Sequence, residues 1–410
     1  MSNVKYIGVF GKRNSGKSSL INKLTGQEIA IVSEVPGTTT DPVRKRMEIF
    51  GLGPVVIIDT AGIDDEGNLG KRRVESSRKI ISQIDIALLL FTNNTIDKYE
   101  KELLKSFRDQ ELPVLLVHNQ SDIISLEEKV ATAIKEKYGH EVIEFSCNIF
   151  DESEQQKLVE VLTSHIVKKL NETAFSQMTI LEGLVEKDYN IVLVCPVDSE
   201  APEGRLILPQ VNAIRDVLDK GGNAIVLQPG NLGSYLKSAA VKPKLVVTDS
   251  QAFNEVSKIV PEDIPLTGFS LLLARSKGPF VHYLKGTRAI DNLKEGDKLL
   301  ILESCSHHSN CEDIGRVKLP ALISKKCDCR IEWDVISGLD SLPHKIEEYA
   351  MVIQCGGCMI TGRQLSARLK PAIIAGIPVS NYGMALAYCT GIFERAVAPL
   401  TVTENIQDQN

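Results

Sequence analysis

The octapeptide Gly11-Lys12-Arg13-Asn14-Ser15-Gly16-Lys17-Ser18 constrains this chain more than any other feature. It follows the β-rich run Tyr6–Phe10, and a helical pattern opens at Ser18. That is the pattern GxxxxGK[ST] in the strand–loop–helix setting it requires. A strand feeding a helix through such a loop commits the surrounding sequence to an α/β layer architecture with a mostly parallel sheet. The glycines let backbone N–H groups wrap a β-phosphate, and the helix N-terminus adds favourable potential. Lys17 would bridge the β- and γ-phosphates and the Ser18 hydroxyl would take a place on Mg²⁺. Asn14, Ser15, Gly16 and Ser19 complete the loop's expected nucleotide contacts.

Three further elements occur in order, each at the end of a strand-like run. Asp59-Thr60-Ala61-Gly62 follows Pro54–Ile58. A carboxylate there can hold Mg²⁺ through water, and the Gly62 N–H can meet a γ-phosphate. Asn119-Gln120-Ser121-Asp122 follows Val114–His118, and Asp122 could accept hydrogen bonds from the N1 and N2 groups of guanine, which adenine does not offer. Ser146-Cys147-Asn148, after Phe145, is placed to offer a backbone N–H to guanine O6. Together they predict a GTP/GDP site.

These residues resemble the translation-factor-like GTPases, in the branch that holds the tRNA-modification GTPases (MnmE) and the ribosome-associated GTPases (Era). The likeness covers residues 1–170. It implies that Thr39, in Pro36-Gly37-Thr38-Thr39-Thr40-Asp41, is the switch I threonine on Mg²⁺, with Thr38 the alternative by one register step. Two positions depart from the pattern: Gln120 replaces the usual Lys, and Ile63 stands where Ras-like enzymes carry a water-positioning Gln. Asn14 matches the P-loop Asn that, in this branch, helps bind K⁺ where an arginine finger would otherwise act. The resemblance therefore implies slow basal hydrolysis by Lys17, Thr39 and Asn14, accelerated by K⁺ over Na⁺.

A chain of 410 residues has room for two to four domains. The strand–helix alternation assigns 1–172 to the P-loop domain. A thinner repeat of the same alternation, with strands at Asn190–Cys195, Ala224–Leu227 and Lys244–Thr248, occupies 178–265. Its exposed sheet edges invite pairing with a second copy, so a homodimer through this middle domain is expected. Residues 266–410 form a third α/β domain that holds most of the cysteines. The net charge of −6, from 47 basic and 53 acidic residues, gives no global reason to expect a nucleic-acid or membrane partner. No apolar run reaches the roughly 18 residues of a membrane span. The N-terminus enters a strand pattern without a signal peptide, which predicts a cytoplasmic protein.

Six of the nine cysteines fall between Cys305 and Cys358, a clustering that points to metal or redox chemistry rather than a disulfide framework. Cys355-Gly356-Gly357-Cys358 is a CxxC that supplies two thiolates, so a further ligand must come from elsewhere. Cys305-Ser306-His307-His308 and Cys311 are the obvious sources, with Cys327 and Cys329 behind them. On spacing alone a structural zinc and an iron–sulfur cluster are equally served. Buried thiols without metal and a Cys355/Cys358 dithiol switch are the remaining readings.

The whole chain resembles the FeFe-hydrogenase maturation GTPases, the HydF family: a GTPase domain, a small middle domain, and a C-terminal domain with CxH followed by CxxC. Here Cys305-Ser306-His307 is followed by 46 residues and then Gln354-Cys355-Gly356-Gly357-Cys358. Gln354 stands where many members have His. The resemblance implies that Cys305, Cys355 and Cys358 bind a 4Fe–4S cluster whose fourth iron keeps an exchangeable ligand. His307 would be that ligand or a nearby donor, and Cys311, Cys327 and Cys329 non-ligands. It further implies a scaffold that receives a diiron precursor built with two radical-SAM maturases and delivers it to apo FeFe-hydrogenase, with GTP binding and hydrolysis modulating partner contacts. The competing function is an RNA- or ribosome-associated GTPase with a structural zinc module.

Overall fold

The computed structural model describes residues 4–26, 43–60, 80–149, 151–172, 178–197, 206–304, 314–339 and 345–401. The chain divides into two compact units, 2–177 and 178–410.

In the first unit six strands form one sheet: β1 (Lys5–Gly11), β2 (Val43–Ile49), β3 (Gly53–Asp59), β4 (Ile86–Phe91), β5 (Val114–His118) and β6 (Val142–Glu144). Their spatial order is β2-β3-β1-β4-β5-β6. All neighbours are parallel except β2 and β3. Every residue of β4 and β5 is buried, as expected of central parallel strands covered by helices on both faces. β2 was missed in the sequence because its residues Val-Arg-Lys-Arg-Met-Glu-Ile alternate charge with bulk. That is the signature of an edge strand with one wet face.

The second unit contains two four-stranded parallel sheets. The first consists of β7 (Asn190–Val194), β8 (Asn223–Leu227), β9 (Leu245–Thr248) and β10 (Leu266–Gly268), in the order β10-β9-β7-β8. Three strands were legible; β10, only three residues long, begins just past residue 265. The second sheet consists of β11 (Lys298–Leu302), β12 (Glu332–Ile336), β13 (Met351–Gln354) and β14 (Val379–Asn381), in the order β12-β11-β13-β14.

One hydrophobic core runs through both halves of this unit, with Leu193, Val247, Leu272, Tyr283, Leu300, Val352 and Leu400 all buried in it. The helices Phe269–Lys277 and Phe280–Thr287 connect the sheets. Gly286 lies so close to β14 that an added Cβ would sit 2.1 Å from Val379 O. The β10 edge receives the helix Phe393–Thr401, with the buried Thr267 hydroxyl donating to Ala396 O at 2.8 Å. The opposite edge, β8, leaves Val226 41% exposed. Among the described residues no helix is long and apolar enough to cross a membrane.

Candidate functional site

Residues 11–16 leave the carboxyl end of β1 and feed the helix Lys17–Thr25. Asn14 and Gly16 both take left-handed backbone conformations, with φ of 61° and 86°. Gly16 is also pressed against the base-binding loop: a Cβ there would lie 2.2 Å from Asn119 Nδ2. Asn119 donates from that atom to Ser15 O at 2.8 Å, and Gln120 Nε2 donates to Asn14 O at 3.2 Å. Two successive residues of Asn119-Gln120-Ser121-Asp122 thus brace the phosphate loop, and the Gln that replaces Lys still reaches it.

Lys17 is 8% exposed, and its ammonium donates to Gly11 O at 2.8 Å and Lys12 O at 2.6 Å. Ser18 Oγ donates to Asp59 Oδ2 at 2.8 Å. Burial pushes the Asp59 carboxyl up, while the Ser18 hydrogen bond and the charges of Lys17 and Lys45 oppose the shift. A hydroxyl and a carboxylate in contact are the hard oxygen donors Mg²⁺ takes, so this pair fits the ion. Asn14, in the loop, and Ser19, in the first turn of the helix, are both exposed. Thr39 and Gly62 lie outside the described residues.

Asp122 is oriented from a distance. Ser146 Oγ donates to its Oδ1 at 2.5 Å, and the Asn148 N–H donates to Ser146 Oγ at 3.1 Å. Gln155 Nε2 donates to Ser146 O at 3.0 Å, anchoring the loop from the helix Glu152–Asn171. Cys147 Sγ rests 3.9 Å from Asn119 Oδ1, and burial pushes its thiol up to about 11. Sequence reasoning expected only a backbone donor from this segment and missed the Ser146 side chain and Gln155. It also missed the partners of Lys12, whose ammonium pairs with Asp97 and lies 3.8 Å from Glu100, a carboxylate only 2% exposed.

The cysteine motif begins where β13 ends. Parallel register sets Gln354 between Leu302 of β11 and Asn381 of β14. The Cys355 N–H continues the ladder to Leu302 O at 2.9 Å. Cys355 Sγ then accepts from the Ser304 N–H at 3.1 Å and from Gln354 Nε2 at 3.3 Å, with Ser304 Oγ at 2.9 Å. Gln354 is fully buried, and its Oε1 has no hydrogen-bond partner among the described residues. Converging donors suit a thiolate far better than a thiol, which is a weak acceptor. The donor set therefore fits a thiolate-ligated metal or iron–sulfur group.

Gly357, at φ 69°, turns the chain toward Cys358. Lys277, 8% exposed, donates to Gly357 O at 3.4 Å and Ile360 O at 3.3 Å, fastening this loop. Burial pushes the Cys358 thiol up, Cys355 adds to the rise, and Lys277 opposes it. Thr361 caps the next helix, Gly362–Ile374, in a reciprocal box with Gln364. Among the described residues no group of three or more His, Cys, Asp or Glu side chains is gathered tightly enough to hold a metal ion. Cys305, His307 and Cys311 lie outside those residues. Cys327 and Cys329 sit elsewhere, at the end of the helix Leu319–Cys327.

Residues 180–278 match the Hydrogen maturase F dimerization domain and residues 281–399 the Hydrogen maturase F tetramerization domain, together just over half of the chain. Residues 6–120 match the family described as 50S ribosome-binding GTPase. The tRNA modification GTPase MnmE of Nitrosomonas eutropha is 41% identical over 114 residues, which are 28% of this chain and 25% of that protein. The MnmE of Coxiella burnetii is 38% identical over 120 residues, 28% of this chain and 26% of that protein. The chain thus spans about a quarter of the length of the curated relatives it matches. Among solved structures, Era in complex with MgGDPNP and a 16S ribosomal RNA segment is 25% identical, covering 42% of this chain and 59% of that one at a TM-score of 0.36.

Proposed function

Because the chain belongs to the Hydrogen maturase F family and carries a GTPase domain, we propose that it is the scaffold on which a diiron precursor of the hydrogenase active site is held and from which it is delivered to apo FeFe-hydrogenase. Two radical-SAM maturases supply that cargo. Cys305, Cys355 and Cys358 hold a 4Fe–4S cluster, and His307 serves as the fourth ligand or a neighbouring donor. Bound there, the cluster supplies one iron without a protein thiolate, open to an exchangeable ligand. The observation that carries this reading is the Cys355 sulfur, onto which the Ser304 N–H and the Gln354 amide both direct donors. Ser304 is also the residue that precedes Cys305 in the sequence. Gln354 takes over, as a neutral donor, the position where many members carry His.

In the GTPase domain, Lys17 exchanges the carbonyls of Gly11 and Lys12 for β- and γ-phosphate oxygens, and Ser18 and Thr39 hold Mg²⁺, with Asp59 acting on it through water. Gly62 meets the γ-phosphate, Asp122 reads guanine, and Asn14 takes K⁺. Water attacks the γ-phosphorus and the bridging P–O bond breaks, giving GDP and phosphate. Nucleotide state adjusts partner contacts and takes no part in the cluster chemistry. The β8 edge, with Val226 exposed, supports a homodimer through the middle domain.

Anaerobic reconstitution with iron and sulfide tests the assignment. Cys305→Ala, Cys355→Ala and Cys358→Ala should each lose most of the bound iron and fail to activate apo-hydrogenase. Cys311→Ala, Cys327→Ala and Cys329→Ala should retain it. Full iron content in Cys305→Ala with loss in Cys311→Ala would move the third ligand and defeat the reading.

A further inference from the structure

The C-terminal sheet carries cysteines at both ends. Cys355 follows the carboxyl end of β13, whereas Cys327 and Cys329 lie beside the amino ends of β11 and β12. Cys329 Sγ contacts Leu293 O at 3.8 Å, ahead of β11, and the Arg330 carbonyl accepts from the Gly296 N–H at 2.9 Å. A five-residue strand, β11, spans roughly 15 Å between the two ends. The amino-end cysteines are thus separate from the Cys355 site, and neither nucleotide nor cluster chemistry uses them.

Their geometry is that of a pair. Asp328, in a left-handed conformation with φ 51°, ends the helix Leu319–Cys327 and donates its N–H to Ser324 O. The turn sets Cys329 Sγ 2.8 Å from Cys327 Sγ, with Cys329 the hydrogen-bond donor. Both residues are half-buried and Asp328 between them is exposed, so a small solute can reach the sulfurs. A disulfide bond is about 2.05 Å long, so closing the pair requires about 0.8 Å of sulfur travel. Among the described residues no third or fourth His, Cys, Asp or Glu ligand is gathered with this pair, as zinc would demand. Burial pushes the thiol of Cys389 up to about 12, a shift that the charge of Lys326 opposes and that of Cys327 reinforces.

We propose that Cys327 and Cys329 form a reversible dithiol–disulfide site that exchanges with small-molecule disulfides. Cys327, which accepts the hydrogen bond, attacks one sulfur of the small disulfide as a thiolate; a mixed disulfide forms and one small thiolate leaves. Cys329 then gives up its proton, attacks Cys327 Sγ and expels the second small thiol. Two protein thiols are oxidised to one disulfide and the small disulfide is reduced to two thiols, so atoms and electrons balance. The thiol of Cys329 is pushed up to about 11, chiefly by its hydrogen bond to Cys327, which keeps it protonated until the first step removes that acceptor. Closure covalently fixes the turn that ends the Leu319–Cys327 helix, whose Leu319 and Ile323 are buried in one core with Tyr382 and Leu386. The inference stands whatever occupies the Cys355 site.

The test uses the full-length protein, reduced, exposed anaerobically to oxidised glutathione and then alkylated. Tryptic cleavage after Lys326 and Arg330 isolates Cys327-Asp328-Cys329-Arg330, apart from the peptide that holds Cys355 and Cys358. The expected product is the unalkylated tetrapeptide lighter by both thiol hydrogens. Cys329→Ser should instead accumulate glutathione on Cys327 at least about tenfold above wild type, because the resolving thiol is gone. Cys389→Ser should close the pair as wild type does. A tetrapeptide alkylated on both sulfurs after exposure, or Cys327 joined to Cys389, would overturn the proposal.

Discussion

Replacing Gly16 with Ala separates two costs that a P-loop glycine normally hides together. The first is conformational: Gly16 holds φ 86°, where an L-residue with a Cβ costs about 1–2 kcal/mol. The second is a collision, because the new Cβ would sit 2.2 Å from Asn119 Nδ2. Asn119 is 2% exposed and cannot swing into solvent without giving up its 2.8 Å bond to Ser15 O. Leaving a buried amide and carbonyl unpaired costs about 1–3 kcal/mol. Gly26→Ala supplies the control: φ is 62°, yet among the described residues nothing lies within 4 Å of the added Cβ, so the first cost applies without the collision. The difference between the variants, about 1–3 kcal/mol, is the contribution of the Asn119 brace. For a unit of this size it corresponds to about 3–10 °C in the melting temperature of the GTPase transition, read by calorimetry on the full chain. Guanine-nucleotide affinity, measured with a fluorescent GDP, should fall in Gly16→Ala by about tenfold per 1.4 kcal/mol and stay near wild type in Gly26→Ala. Equal melting shifts in the two variants would show that Asn119 gives way freely, and the brace would be discarded.

Asp122→Ala should weaken GTP binding and erode discrimination against ATP. Ser146→Ala should reproduce a milder form, about tenfold or less, because the carboxylate stays while its 2.5 Å restraint is lost; competition titrations with GTP and ATP read both. Lys17→Ala should abolish hydrolysis while leaving cluster reconstitution intact, and wild-type phosphate release should be faster in KCl than in NaCl at equal ionic strength, with equal rates rejecting the role of Asn14. Lys277→Met should cost little stability, because removing a buried ammonium relieves its desolvation as it abandons the carbonyls of Gly357 and Ile360. Amide hydrogen exchange should nevertheless accelerate across residues 356–361, and unchanged exchange there would mean that the lysine does not fasten the loop.

What was legible in the sequence divides along a physical line. The phosphate loop and the Asn119–Asp122 segment were readable because they work through turn geometry and backbone donors, which demand particular residues at adjacent positions. The Ser18–Asp59 contact followed from the same motifs, since each lies at a strand end of a parallel sheet. The strands β2, β10, β12, β13 and β14 were not readable: β2 alternates charge at an edge, β12 is scarcely buried, and the other three have only three or four residues. The supporting residues were invisible for a different reason. Ser146 reaches Asp122 across 24 positions, Gln120 reaches Asn14 across 106, and Lys277 reaches the CxxC loop across 80 or more. Such a residue carries no local pattern, since its chemistry is generic and only the fold supplies its partner. Gln354 lies between these cases. The sequence marks it as a departure from the family's His, but only the β11–β13–β14 register shows what the replacement does. In a fully buried position an amide can donate from Nε2 to both Ser304 Oγ and Cys355 Sγ at once. A neutral imidazole has a single N–H to give. The Gln therefore supports Cys355 through its amide hydrogens and requires no change of protonation.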